Sequence, residues 1–167
     1  MDSERSREPI TMATLTKLSA ISREAMDGFF ARNPRWAGYR ERELCVVLAQ
    51  GAALHYLNGT HGVKDFDCWT FLDLDERIGP FPARGRRGVK DFGPSEFGRH
   101  PEFRGFSGRR VDICARSIRR SHGLDPISSV QDYLRKDKNQ TPRLLAQKAM
   151  VLLEPLDRRG EVIWNPN

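Results

Sequence analysis

The amino-acid sequence predicts an α+β domain in which a mixed β-sheet is backed by helices, with helices at the N-terminal and the C-terminal end. Three observations lead to this class. Apolar residues recur at helical spacing over residues 11–31. Three short β-prone runs occupy the middle of the chain, and helical patterns return after residue 126. Strands and helices interspersed in this way are typical of a sheet with helices packed on it.

Length and composition fit one domain. The 167 residues are enough for a single hydrophobic core, and 38% hydrophobic with 30% charged residues suits a hydrated globular protein. We expect a flexible N-terminus at 1–10 and a single domain over 11–167. No apolar run approaches the roughly 20 residues that cross a bilayer, and no apolar stretch follows the charged N-terminus. We therefore expect a cytoplasmic protein without a membrane partner.

The N-terminal helical pattern predicts two helices over residues 11–31, with Ser22 as a cap between them. Asn33 precedes Pro34, and the residue before proline avoids the α region, so the pattern should end there. A connector through Arg40 is expected to follow.

Three apolar runs predict the strands. LCVVL at 44–48 is rich in β-branched residues, FDCWTFL at 66–72 is aromatic and β-prone, and VDICA lies within 107–117. Between the first two, AALHYL at 52–57 has helical composition. The three cysteines lie in or beside these runs without CxxC spacing, which predicts buried reduced thiols rather than a zinc site or disulfides. They are Cys45, Cys68 and Cys114.

Residues 76–106 are the least regular part of the chain, with glycine and proline scattered among arginines. We predict a long loop there with at most one helical turn, acting as a lid or a binding loop or being disordered. Amphipathic patterns then predict helices at 127–136 and 142–153, the second capped by Thr141 and closed by Pro155. Trp164 is expected to pack back onto the core.

Basic charge is concentrated in one segment. The chain carries a net charge of +6 and a pI near 9.6. Residues 77–120 hold twelve Arg or Lys against four acids, a local net charge of +8. Such a segment favours a polyanionic partner, nucleotide phosphates or a nucleic acid, with a merely solvated basic surface as the alternative.

Two carboxylates alternate along the second predicted strand. Side chains alternate in a strand, so Asp65 and Asp67 should project from the same face with α-carbons roughly 6.6 Å apart. Adjacent anions beside an apolar strand repel and desolvate each other, which raises their pKa or costs stability unless a cation is present. Mg²⁺, or Mn²⁺, is a hard cation suited to this pair.

A third carboxylate lies between strand-forming neighbours. Asp112 is flanked by Val111 and Ile113 and follows two arginines. If its strand lies beside that of Asp65 and Asp67, three carboxylates converge and can hold two metal ions about 3.5–4 Å apart.

These residues resemble a known pattern. Gly51-Ala52 after an apolar strand, a spacer of twelve residues, and then Asp65 and Asp67 on the next strand is similar to the signature of the nucleotidyltransferase superfamily. The later strand aspartate of that family matches Asp112. The resemblance covers roughly residues 44–116 and is closest to small bacterial nucleotidyltransferase-like proteins, including those of the abortive-infection toxin type.

The resemblance implies a nucleotidyltransferase-like fold and a metal-dependent transfer of a nucleotidyl group from a nucleoside triphosphate to a hydroxyl. The basic segment 77–120 would suit an RNA acceptor such as tRNA. The implied catalytic and metal-binding residues are Asp65, Asp67 and Asp112. The residues assigned to nucleotide binding are Gly51, Ala52, Lys64, Lys148 and Arg110.

Three positions refine the match. Lys148 corresponds loosely to a helical lysine that contacts phosphate in such proteins. The family usually has Gly-Ser or Gly-Gly where this chain has Ala52, so a hydroxyl is missing, although a backbone N–H at a helix start can still bind phosphate. Lys64 stands where the family often has threonine, and it could neutralise the carboxylates or hold a phosphate.

Alternative functions stay open on the sequence. A catalytically degenerate module of the same fold would bind nucleotide, nucleic acid or a partner protein without chemistry. A nuclease could use the same three carboxylates, but the Gly51 element has no obvious role in one.

Overall fold

A six-stranded mixed sheet forms the centre of the part of the chain that the computed structural model describes, residues 4–82, 88–136 and 140–166. The strand order is β3-β4-β2-β1-β5-β6, in which β2 and β4 are parallel and the other neighbours antiparallel. The predicted α+β class with a mixed sheet is confirmed. The strands are β1 (Glu43–Ala49), β2 (Asp65–Asp73), β3 (Gly88–Asp91), β4 (Arg110–Ile118), β5 (Met150–Glu154) and β6 (Val162–Trp164).

Helices cover both faces of the sheet. The helices are α1 (Met12–Arg32), α2 (Gln50–Asn58), α3 (Pro126–Lys136) and α4 (Gln140–Leu145), with 3₁₀ helices at Pro34–Glu41 and Leu156–Arg158. Residues of α1 and α2 share one buried cluster with Phe66 and Ile113, whereas α3 shares the other with Phe71 and Leu152. Within the described ranges, none of the helices has both the length and the apolar composition needed to cross a bilayer.

The N-terminal helical segment is one helix, so the prediction of two helices divided at Ser22 was wrong. Ser22 is 2% exposed and lies on the stripe that faces the sheet, one turn after Leu18 and one turn before Met26. The apolar spacing therefore runs through the serine without a break. The cap lies instead at Thr11, in a capping box with Thr14. The predicted connector after Pro34 is largely a 3₁₀ helix.

The predicted helix over 142–153 was also wrong, because its second half is strand β5. Only Gln140–Leu145 is helical. The run from Met150 to Leu153 is fully buried and pairs antiparallel with β1, so sheet pairing decides its conformation. Trp164 lies on β6 and donates its indole N–H to the Ala146 carbonyl at 2.9 Å, as expected of a residue that packs back onto the core.

The predicted long loop over 76–106 contains strand β3, which the sequence pattern did not reveal; residues 83–87 of that loop lie outside the described part. Beyond β3, the Asp91 carboxylate accepts backbone N–H groups of Gly93, Ser107 and Gly108. Burial alone would raise the pKa of Asp91, but these hydrogen bonds together hold it below the ordinary value. A β-carbon on Gly108 would lie 1.9 Å from the Gly93 carbonyl oxygen, so only glycine lets the backbone at position 108 approach Gly93 this closely.

The N-terminal residues and the cysteines complete the fold. Ser6 exchanges both backbone hydrogen bonds with Val63, which places the described part of the 1–10 segment against the start of β2. All three cysteines are buried, as predicted. Burial raises the pKa of the Cys45 and Cys68 thiols to about 12, so both thiols stay protonated.

Candidate functional site

The three predicted carboxylates lie on two neighbouring parallel strands. Asp65 and Asp67 stand at the start of β2 and alternate with buried Phe66, so they share a face. On β4, Asp112 is the register partner of Asp67, and it is 1% exposed. The parallel pairing thus brings the three residues together from positions almost fifty apart in the chain.

Asp67 and Asp112 share a hydrogen bond between their carboxyl groups. Burial raises the pKa of Asp67 to about 7, and the negative charges of Asp112 and Asp65 add to the shift. The pKa of Asp112 is also raised, mainly by burial, against the opposing effect of Arg110. The raised pKa of both carboxyl groups indicates a site that is short of positive charge.

Arg110 supplies part of that charge. It is the register partner of Asp65 and shares the face of Asp112, and its Nε lies 2.7 Å from Asp112 Oδ1. Its guanidinium also stacks over the Phe103 ring at 4.6 Å. Arg110 was predicted to contact nucleotide. In the structure it contacts Asp112, and it is not among the residues that line the cleft beside Asp65 and Asp67.

His100 is a residue of this site that the sequence did not reveal. Its Nδ1 accepts the backbone N–H groups of Glu102 and Phe103, so the ring proton is on Nε2. Nε2 lies 2.6 Å from Asp65 Oδ1, and the imidazole is almost completely buried. The two groups do not form a hydrogen bond of good geometry, but the polar Nε2–H group of His100 lies beside the Asp65 carboxylate.

A cleft of about 260 Å³ opens beside Asp65 and Asp67. The predicted residues that line it are Gly51, Ala52, Lys64, Asp65, Asp67 and Lys148. The sequence did not predict the remaining lining residues, which are Arg5, Gln50, His61 and Gly62. The cleft is thus lined by both carboxylates and cationic side chains.

The start of α2 forms one wall of the cleft. The first N–H groups of a helix have no partner within it, and Ala49 at the N-cap makes no side-chain hydrogen bond to them. Gln50 adopts a left-handed φ of 61°, the one non-glycine residue among those described that does so. Such strain recurs at functional sites. Gly51 follows, where a β-carbon would lie 3.0 Å from His61 Nε2.

Arg5 and Lys148 bring positive charge to the cleft. Arg5 Nη1 donates to His61 Nε2 at 2.7 Å, so His61 is an acceptor there. Burial, then the charges of Arg5 and Lys148, lower the pKa of His61. Lys148, predicted to contact phosphate from a helix, lines the cleft from the turn before β5 instead.

Lys64 lines the same cleft, but its ammonium is engaged by acids of other segments. Its Nζ lies 2.6 Å from Glu102 Oε1 and 3.7 Å from Glu4 Oε2. The Glu102 hydrogen bond raises the pKa of Lys64. Contact with a phosphate would require Lys64 to leave Glu102.

The carboxylate oxygens of the three aspartates are the kind of ligand that a hard divalent cation prefers, although the aspartates do not enclose a metal position. Among the described residues, no three His, Cys, Asp or Glu side chains are already grouped around one metal position. Mg²⁺ needs only one or two carboxylates when phosphates and water complete its shell. Asp67 and Asp112, which are register partners with Asp65 adjacent, meet that requirement when their carboxyl groups are ionised.

Replacing His100 should weaken metal binding without removing a metal ligand. In His100→Phe a ring remains but the N–H toward Asp65 is lost. Loss of such an outer contact costs about 10- to 100-fold in metal affinity. Titration with Mn²⁺ followed by calorimetry measures the change, with His122→Gln, an exposed histidine of a distant loop, as control. Unchanged Mn²⁺ affinity in a folded His100→Phe protein would show that the imidazole does not orient Asp65.

Comparisons with family models, with curated proteins and with solved structures find no match for this chain.

Proposed function

We propose that this protein transfers a nucleotidyl group from a nucleoside triphosphate to a hydroxyl acceptor, using Mg²⁺ or Mn²⁺ held by Asp65, Asp67 and Asp112. The observation that carries the proposal is the composition of one cleft. Paired carboxylates, an uncapped helix start and the cations Arg5 and Lys148 converge there. A metal–triphosphate complex has the charges that complement all three features.

The reaction would join the acceptor oxygen to the α-phosphorus, break the bond to the β-phosphate oxygen and release pyrophosphate. When bound, the divalent cation would neutralise phosphate charge and favour ionisation of the attacking hydroxyl. The start of α2 and the side chains of Arg5 and Lys148 would hold the β- and γ-phosphates. Asp112 would accept the hydroxyl proton or complete the metal shell, and Arg110 would offset charge that develops at phosphorus.

Label transfer tests the proposal. The protein is incubated with Mg²⁺ or Mn²⁺, each of the four nucleoside triphosphates labelled at the α-phosphate, and total RNA. We expect label to appear in RNA with at least one nucleotide, and not with an Asp67→Asn, Asp112→Asn variant of equal circular dichroism. Absence of label with every nucleotide and metal, from a folded protein, would contradict the proposal.

Neutralising Lys148 should weaken triphosphate binding more than it weakens metal binding. A charge-assisted hydrogen bond of about 1.5–3 kcal/mol corresponds to roughly 10- to 100-fold in affinity. We expect Lys148→Gln to raise the Kd for the triphosphate by that factor, measured by calorimetry. Lys136→Gln on α3 removes the same charge at a 76% exposed side chain and should have little effect. Equal losses of triphosphate affinity in the two variants would show that Lys148 contributes only general positive charge and does not contact the phosphates.

One observation favours a second candidate, a nucleotide-binding module without catalysis. Arg110 already neutralises Asp112 at 2.7 Å, as an internal cation would in a site that uses no metal. This alternative predicts that nucleotide alone raises the melting temperature and that Mg²⁺ adds nothing. Stabilisation that requires both ATP and metal would exclude it.

A further inference from the structure

Two phenylalanines lie outside the hydrophobic core. Of the nine in the chain, seven belong to or pack against the two buried clusters, and Phe103 and Phe106 do not. Both are half-buried, and their ring centroids lie 5.1 Å apart at 44°. Contiguous apolar surface away from the core is a feature of binding sites.

Guanidinium groups surround this pair. Arg99 and Arg104 are exposed beside it, and Arg110 covers part of the Phe103 ring. Arg99 also donates to the backbone carbonyls of Arg104 at 2.7 Å and Phe106 at 3.2 Å, so the segment has a fixed shape. We call residues 99–106 with Arg110 the basic-aromatic platform.

The platform adjoins the carboxylates on the β4 side, and its Glu102 pairs at 2.6 Å with Lys64, which lines the cleft. His100 contacts Phe103 at 5.4 Å between ring centroids and Asp65 at 2.6 Å, and Arg110 joins Phe103 to Asp112. These contacts lie toward β4, whereas the cleft is formed by the ends that follow β1 and precede β5. Asp65 and Asp67 therefore border the cleft, while Asp65 and Asp112 contact residues of the platform.

We propose that the basic-aromatic platform binds the unpaired terminal bases of a single-stranded RNA acceptor. Bases of single strands stack on aromatic rings while their phosphates pair with cationic side chains, and the platform offers both. The inference rests on the proposed function for the role of the strand as acceptor. An acceptor at the platform and a triphosphate in the cleft would both border the carboxylates, and in-line displacement would then require the attacking hydroxyl to lie opposite the leaving group.

Fluorescence anisotropy with a labelled 12-nucleotide single-stranded RNA, without metal or triphosphate, tests this. We expect Phe103→Leu, Phe106→Leu to weaken binding by about ten- to a hundredfold, because stacking contributes about 1–3 kcal/mol per base. Arg104→Gln should weaken it less. Arg135→Gln removes an equal charge at an exposed residue of α3, outside the basic segment 77–120, and should leave affinity nearly unchanged.

Three outcomes would overturn the proposal. They are equal affinity of wild type and the double phenylalanine variant, an equal loss in Arg135→Gln, and binding of duplex RNA as tight as that of the single strand. A higher Kd for the triphosphate with unchanged RNA affinity would instead assign the platform to the nucleotide base. Circular dichroism verifies folding, and Phe103→Leu alone repeats the test if the double variant is unfolded. RNA binding without label transfer would support the platform as an RNA-binding surface and would contradict only the proposed reaction.

Discussion

Replacing Asp67 with asparagine should reduce nucleotidyl transfer by at least about a thousandfold, because a metal ion's contribution of several kcal/mol to the transition state would be lost. Asparagine keeps the shape of the side chain and can still donate a hydrogen bond to Asp112. The fold should therefore persist.

Asp73→Asn is the matched control for this variant. Asp73 ends the same strand at its other extremity and pairs with Arg42 at 3.4 Å, so its replacement should leave transfer within a few-fold of wild type. Initial rates of label transfer at saturating nucleotide measure both variants. Comparable losses in Asp67→Asn and Asp73→Asn, or a fully active Asp67→Asn, would exclude Asp67 from the chemistry.

The metal-free protein should lose stability as the pH rises, through the titration of Asp67. The folded-state pKa is raised from 3.8 to about 7, so the folded protein binds this proton more tightly than the unfolded chain does. Stability from this group is then greatest below about pH 4, falls between about pH 4 and 7, and is constant above. The groups that face Asp67 are the acids Asp65 and Asp112 and the cation Arg110.

Asp67→Asn isolates this effect from all other titrations. The variant should equal wild type near pH 4 and exceed it above pH 7 by up to about 4 kcal/mol in free energy of unfolding. Urea denaturation from pH 4 to pH 8 without divalent metal measures the difference, and saturating Mg²⁺ should restore wild type above pH 7. Parallel pH profiles of stability for the two proteins would show that the fold does not destabilise the ionised form of Asp67.

The sequence predicted the carboxylate cluster because its determinants are local. Alternation along a strand places Asp65 and Asp67 on one face whatever the rest of the chain does. Asp112 needed only that its strand, the next one the sequence predicted, lie beside theirs, and the unpredicted β3 leaves room for this because it pairs with the other edge of β4. The sheet, the buried cysteines and α3 follow from similarly short patterns.

The features that the sequence did not predict depend on contacts between residues far apart in the chain. The segment of β5 has the composition of a helix, and only pairing with β1, about a hundred residues earlier, makes it a strand. His100 reaches Asp65 because the hydrogen bonds of Asp91 fix the loop that carries it. No spacing between His100 and Asp65 could have revealed that contact. Ser22 was misassigned because capping residues also occur within helices when they face a packed sheet.

Binding of Mn²⁺ at pH 8 in the presence of a non-hydrolysable ATP analogue tests the central claim most directly. Electron paramagnetic resonance of free Mn²⁺ measures how much metal each protein takes up, independently of any acceptor. We predict that wild type binds Mn²⁺ in an analogue-dependent manner and that the Asp67→Asn, Asp112→Asn variant does not, while Asp73→Asn binds as wild type does. Equal Mn²⁺ uptake by wild type and the double variant, or none by wild type, would contradict the assignment of this cluster as a metal site.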